Sequence, residues 1–232
     1  MVTRNGLAES RERAQALILA GKVKVGGETE RRPDRSVSDD ATISVEAGPD
    51  FASRGALKLG PALDHFQVDP KDRVCADIGA STGGFTDVLL RRGAAKVYAI
   101  DVGRGLLHWR LRQDPRVVVI ERVNARELDA FAEPVSLIVV DVSFISLEKV
   151  LPALRRAGPE AEVVALFKPQ FEVGRMDVGK GGIVRDTVVV EAALRTFRTW
   201  CSHNGYEVKG EVASDVTGAQ GNQEFFLWLM PK

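Results

Sequence analysis

Cysteine and histidine are scarce. Only Cys75 and Cys201, with His65, His108 and His203, occur in 232 residues. Two thiols give no disulfide framework, and nothing has zinc-ligand spacing, so no metal is expected. Cys75 falls in an apolar run, where a buried small thiol is the natural reading. No apolar run is long enough to cross a bilayer, and the start lacks a signal-peptide pattern. The expectation is a cytoplasmic protein with no membrane partner. Charge of one sign is missing too: 32 Lys and Arg balance 32 Asp and Glu. Any RNA surface must therefore come from where the charges sit. No repeat or low-complexity tract interrupts the chain. What is present is 44% hydrophobic residues, enough to bury the core of one large domain, or of one large and one small.

The rest is organised around Arg73 to Phe85, RVCADIGASTGGF. Val74 to Ile78 reads as a strand buried on both faces of a parallel sheet. Gly79, Gly83 and Gly84 follow, and a helix starts near Phe85. Strand, glycine turn and helix make the nucleoside-binding corner of a doubly wound α/β domain. The residue two after Gly79 is Ser81, so the second glycine of a dinucleotide fingerprint is missing. NAD and FAD are disfavoured. The pattern D-x-G-x-x-x-G resembles the first motif of S-adenosylmethionine-dependent methyltransferases. Lys96 to Ile100 reads as a second strand ending in Asp101, an acid placed to suit a ribose diol.

Further strands are expected at Val117 to Ile120, Val135 to Val140 and Val163 to Phe167, with helices over Leu147 to Ala157 and Val188 to His203. Glu207 to Val212 and Glu224 to Leu229 suit two closing strands. Alternating strands and helices predict a mostly parallel Rossmann-like sheet. Ser53 to Phe66 reads as a helix, kinked at Gly60-Pro61. Residues 1–47 form a separate small α+β unit, with 48–54 as linker and 55–232 as the large domain. In the small unit, Ser10 caps and Gly21 closes a helix, with Leu7, Ala14, Leu17 and Ile18 on its buried side. Lys22 to Val25 and Ala41 to Val45 read as strands, and Gly26-Gly27 as a turn.

Ligands of open α/β sheets bind at the carboxyl ends of the strands. Asp101, Asn124, Asp141 and Lys168 fall there. Glu224 opens a late strand, and an antiparallel setting would bring it to the same rim. One apparent motif misleads: Gly174 to Lys180 has phosphate-loop spacing, but Gly181 stands where a magnesium-holding hydroxyl is needed. That stretch reads instead as a loop near an RNA side, with Arg175, Lys180 and Arg185 available to phosphates.

Two resemblances extend this reading. GLAESRERAQALILAGKVKVGG, Gly6 to Gly27, is similar to the S4 RNA-binding module, which implies RNA contacts from Arg11, Arg13, Lys22 and Lys24. Lys58 in SRGALKL, Asp141 in VVDVSF, Lys168 in LFKPQFE and Glu224 in GNQEFFLW resemble the Lys-Asp-Lys-Glu tetrad of FtsJ-like ribose 2′-O-methyltransferases. With the S4-like unit in front, the whole chain resembles the TlyA, or haemolysin A, family. The resemblance implies methylation of cytidine ribose 2′-hydroxyls in ribosomal RNA, with ribosomal RNA or subunits as partner and S-adenosylmethionine as cofactor. Lys168 would take the hydroxyl proton or stabilise the alkoxide. Asp141 would orient it, and Lys58 and Glu224 would place the ribose. Gly79, Ser81 and Gly83 would approach the cofactor's methionine and ribose, Asp101 its ribose hydroxyls, and Asn124 its adenine.

Three other functions compete. A base N-methyltransferase would explain Asp141 to Phe144 as an amine-holding loop, but both prolines of that loop are absent, and Lys168 and Glu224 would be idle. A non-catalytic ribosome-binding or assembly factor would need only the RNA surfaces. Membrane lysis is suggested only by the family's older name, and no basic amphipathic helix with a broad apolar face stands out.

Overall fold

The computed structural model describes residues 1–8, 11–19, 21–38, 41–45, 51–218 and 221–232, without the side chains of residues 12, 13 and 16. The chain divides into two compact units, Met1–Asp50 and Phe51–Lys232.

The first unit holds helix α1 (Arg11–Leu19) and three short strands, β1 (Val23–Val25), β2 (Glu28–Glu30) and β3 (Ile43–Val45). They form an antiparallel sheet in the order β2-β1-β3. Gly26 and Gly27 both take positive φ, 60° and 89°, as the two-residue β1–β2 hairpin requires. Val2, Ala14 and Val23 are buried at the centre, with Leu7, Leu17 and Ile18 packed against them. Strand β2 is one that the charged string ETE does not announce. Ser10 lies outside the described residues.

The second unit is built on a seven-stranded sheet. Its strands are β4 (Val74–Ile78), β5 (Lys96–Asp101), β6 (Val117–Glu121), β7 (Leu137–Val140), β8 (Glu162–Phe167), β9 (Tyr206–Ala213) and β10 (Phe225–Pro231), in the order β6-β5-β4-β7-β8-β10-β9. The first five are parallel; β10 runs antiparallel to both neighbours. Strand β4 pairs with β5 on one side and β7 on the other, and the chain order reverses there. A sheet wound this way opens a crevice at the carboxyl ends of its central strands.

Strand periodicity sorts side chains to the two faces. Cys75, Leu137, Val139, Val164 and Phe226 meet helices α2 (Ala56–Phe66) and α3 (Gly84–Arg91). Ala76, Ile138, Val140, Val163 and Leu227 meet α5 (Leu151–Ala157) and α7 (Thr187–His203) on the other face. Leu59 and Leu63, four apart on α2, are fully buried and contribute about 2 kcal/mol each. Helix α2 runs through Pro61 without ending there. Between β5 and β6 lies the short helix α4 (Trp109–Arg112), and after β8 the short helix α6 (Pro169–Glu172). The stretch expected as one helix from Leu147 divides into a 3-10 turn, Leu147–Lys149, and α5. Pro152 explains the break, since it has no N–H and is tolerated only in a first helical turn. Both cysteines are buried and unpaired, and burial pushes each thiol up to about 12. No described helix is long and apolar enough to cross a membrane.

At one margin of the sheet, β9 carries its charges in local pairs. Lys209 Nζ lies 2.9 Å from Glu207, and Arg198 of α7 lies 2.8 Å from Glu211.

Candidate active site

Four strand ends define the rim. Ile78, Asp101, Val140 and Phe167 close β4, β5, β7 and β8. Because β10 is antiparallel, its first residue, Phe225, pairs with Phe167, and Glu224 arrives beside Lys168. The order of strands thus brings residues far apart in sequence to one edge.

They meet as two ion pairs. Lys58 Nζ, from the first turns of α2, lies 2.6 Å from Glu224 Oε2, with side-chain exposures of 13% and 3%. Lys168 Nζ lies 2.5 Å from Asp141 Oδ1, as a charge contact rather than a well-angled hydrogen bond. Lys168 also donates to Ser143 Oγ at 3.0 Å. An ammonium has three N–H groups, so one remains for a further acceptor.

Next to these pairs two cavities adjoin, both lined by Gly79, Ser81 and Asp141. The larger, about 490 Å³, is lined by Asp101, Val102, Leu106, Asn124 and Phe144. The smaller, about 360 Å³, reaches Ser53, Lys58, Asp77 and Thr217. Gly79 has φ 85°, and a Cβ there would come within 2.5 Å of the Asp141 carbonyl. Only glycine lets β4 turn this close to the end of β7. Ser81 also lies in the left-handed region, with φ 49°. Its N–H donates to Asp101 Oδ2 at 2.8 Å, while Oδ1 accepts from Gly103 N at 2.7 Å. Each carboxylate oxygen keeps capacity for a second donor, such as a sugar hydroxyl.

Gly83 is placed differently from the other loop glycines. It opens α3 with φ 95° and lines neither cavity; a Cβ there would overlap Leu107 and Leu111. It serves the packing of α3 against α4. Asn124 lines the larger cavity and caps the following turn through Arg126 N at 3.1 Å. In the first unit Arg11 and Lys22 are exposed, Lys24 is half-buried, and the Arg13 side chain lies outside the described residues.

The sequence marks Asp77 only as a strand residue. It is fully buried, alternates onto the α3 face with Cys75, and accepts from Thr86 N and Thr86 Oγ1 at 2.8 and 2.7 Å, both on Oδ2. Its Oδ1 has no hydrogen-bond partner among the described residues, and Asp77 borders the smaller cavity. Burial, opposed by the Thr86 hydroxyl and aided by the Asp141 charge, pushes its carboxyl up to about 7. The folded state therefore holds a proton that the unfolded chain has released between about pH 4 and 7, so stability falls across that window as pH rises. Asp77→Asn should flatten this fall. Its advantage over the parent in thermal unfolding should grow from pH 4 to 7, to at most about 4 kcal/mol. A constant difference between the two would show that Asp77 does not titrate there.

The cavities suit S-adenosylmethionine. One offers a carboxylate for ribose hydroxyls beside apolar walls for a base. The other offers an orphaned buried carboxyl oxygen, which suits an ammonium. Comparison with known proteins gives the family. An FtsJ-like methyltransferase family model matches residues 51–230, and an S4 domain model matches residues 1–43. The chain belongs to the FtsJ-like methyltransferase family. It is 48% identical to the 16S/23S rRNA (cytidine-2′-O)-methyltransferase TlyA of Mycobacterium tuberculosis, over 98% of this chain and 87% of that one. It is 42% identical to Hemolysin A of Brachyspira hyodysenteriae, over 95% and 93%. A solved hemolysin structure from Streptococcus thermophilus superposes with a TM-score of 0.80 at 42% identity, covering 100% of this chain and 86% of that one. Among FtsJ-like chains, then, this one carries an S4 domain in front.

Proposed function

We propose that the chain methylates a cytidine ribose 2′-hydroxyl in ribosomal RNA, with S-adenosylmethionine as donor. The observation that carries this reading is the pair of ion pairs, Lys58–Glu224 and Lys168–Asp141, standing together on the rim beside the paired cavities. The names of the TlyA relatives and the S4 match support the RNA and the ribose.

When bound, S-adenosylmethionine supplies a methyl group on a positively charged sulfur, which leaves as a neutral thioether. The protein must orient the hydroxyl and take its proton. Lys168 is placed to take the O2′ proton, or to stabilise the forming alkoxide, as the O–C bond forms. Asp141 and Ser143 fix the direction of its Nζ. Lys58 and Glu224, held to each other, offer a donor and an acceptor to the sugar. The first unit would hold structured RNA through Arg11, Arg13, Lys22 and Lys24.

Phe144 has a place in this reading. It is 90% exposed, has a left-handed φ of 64°, and its ring centroid lies 5.2 Å from that of Phe171. An exposed ring at the mouth of the larger cavity can stack on an unpaired base. Phe144→Ala should raise the KM for RNA on the order of tenfold, the scale of one lost base stack, without moving the thermal midpoint. An unchanged KM would remove Phe144 from the substrate path.

The direct test is transfer of labelled methyl groups to ribosomal subunits that lack the modification. Label in alkali-resistant dinucleotides is expected. Label on a modified base would overturn the ribose assignment, and RNA binding without transfer would favour an assembly factor. Release of dye from liposomes by the purified protein is not expected.

A further inference from the structure

Asn222 is 1% exposed and takes no part in the chemistry outlined above. Its side-chain amide is used on one segment. Oδ1 accepts from Val184 N at 2.9 Å, and Nδ2 donates to Gly182 O at 2.8 Å. One buried amide therefore pairs with 182–184 as a neighbouring strand would. The segment is folded on itself: Gly179 N donates to Ile183 O at 3.0 Å, and Gly182 N to Gly179 O at 3.1 Å. Gly181 and Gly182 have φ of 79° and 76°. This is the GKGGIVRD stretch that lacks the hydroxyl of a nucleotide loop. Lys180 and Arg185 on it are exposed, with no ion pair among the described residues.

The main chain of Asn222 faces the other way. Its carbonyl accepts from Gly218 N at 2.9 Å, and Gly221 N donates to Gly218 O at 2.9 Å. Two residues on stands Glu224, against which Gly218 packs so closely that an added Cβ would overlap Oε1. One buried side chain thus ties a loop with two exposed cations to the turn that carries the acid of the Lys58–Glu224 pair.

We propose that Asn222 is a positioning residue that fixes the 179–185 loop against the catalytic rim, so that Lys180 and Arg185 hold substrate phosphates in line with Lys58 and Glu224. This rests on the RNA reading above.

The test compares Asn222→Ala, the double variant Lys180→Ala/Arg185→Ala, and all three together, in the full chain. Asn222→Ala should raise the KM for RNA about tenfold, or ~1.4 kcal/mol, the scale of one or two net hydrogen bonds. Affinity for S-adenosylmethionine, by calorimetry, should not change. The dependence of RNA affinity on salt should become shallower by about as much as in the double variant. The triple variant should be no worse than the double, because both changes remove the same contacts. Multiplying losses in the triple variant would overturn the proposal, as would a joint fall of cofactor affinity and thermal midpoint in Asn222→Ala. Hydrogen exchange over 180–185 in the free protein checks the tether without any methyl transfer: it should quicken in Asn222→Ala, and unchanged exchange also overturns the proposal. A parent protein that binds RNA and methylates nothing would instead overturn the enzymatic reading, with the exchange and salt results still deciding the tether.

Discussion

Lys168→Met should lower methyl transfer by about 10²–10⁴, the range for loss of a positioned proton acceptor, while affinity for S-adenosylmethionine stays within a few-fold. The geometry explains the separation. Lys168 closes β8 and meets Asp141 and Ser143, whereas the carboxylates suited to the cofactor are Asp101 and Asp77. The Asp141 side chain left behind is 24% exposed, but the oxygen that faced Lys168 is buried, so a modest fall in thermal midpoint should accompany the loss of transfer. Lys168→Arg should not rescue transfer, since a guanidinium stays protonated and cannot accept the hydroxyl proton. Single-turnover transfer with labelled donor, alongside calorimetry of donor binding, checks both halves. Transfer within tenfold of the parent in Lys168→Met would remove the lysine from the chemical step.

The second large effect is on stability as well as rate. Lys58→Met leaves Glu224, 2% exposed, as a buried carboxylate without its cation. Removing one partner of a buried pair costs about 3–5 kcal/mol, because the other charge remains out of water. In a chain of this size that lowers the thermal midpoint by about 10 °C. Replacing both residues, Lys58→Met with Glu224→Leu, should recover most of the loss, since neither charge is then stranded. Transfer should fail in the single and in the double variant alike. Recovered stability with lost activity would mark the pair as retained for the reaction rather than for the fold. A double variant that still methylates RNA would show the pair to be structural.

The gathering of these residues on one rim was legible in the sequence, for identifiable reasons. Apolar runs ending in Asp101, Asp141 and Lys168 announce parallel strands, and a parallel sheet forces their ends to one rim. Glu224 was harder: its arrival there depends on β10 running antiparallel, which the string EFFLWL does not state. Asp77 escaped notice because an acid inside an apolar run looks the same whether it is a strand residue or a cavity wall. What separates the two is the unpaired Oδ1, a fact of three dimensions. Gly83 shows the converse. It belongs to the glycine pattern, yet its missing side chain makes room for Leu107 and for Leu111 of α4. Asn222 could not be found from sequence either, since its partners are main-chain atoms about forty residues away.

The charged couples along β9 have a consequence for self-association. An outermost strand exposes unpaired main-chain groups that invite a second copy to extend the sheet. Here any such copy would have to desolvate Glu207, Lys209 and Glu211, already satisfied at home. The molecule thereby discourages fibre-like stacking at the margin two strands from Lys168.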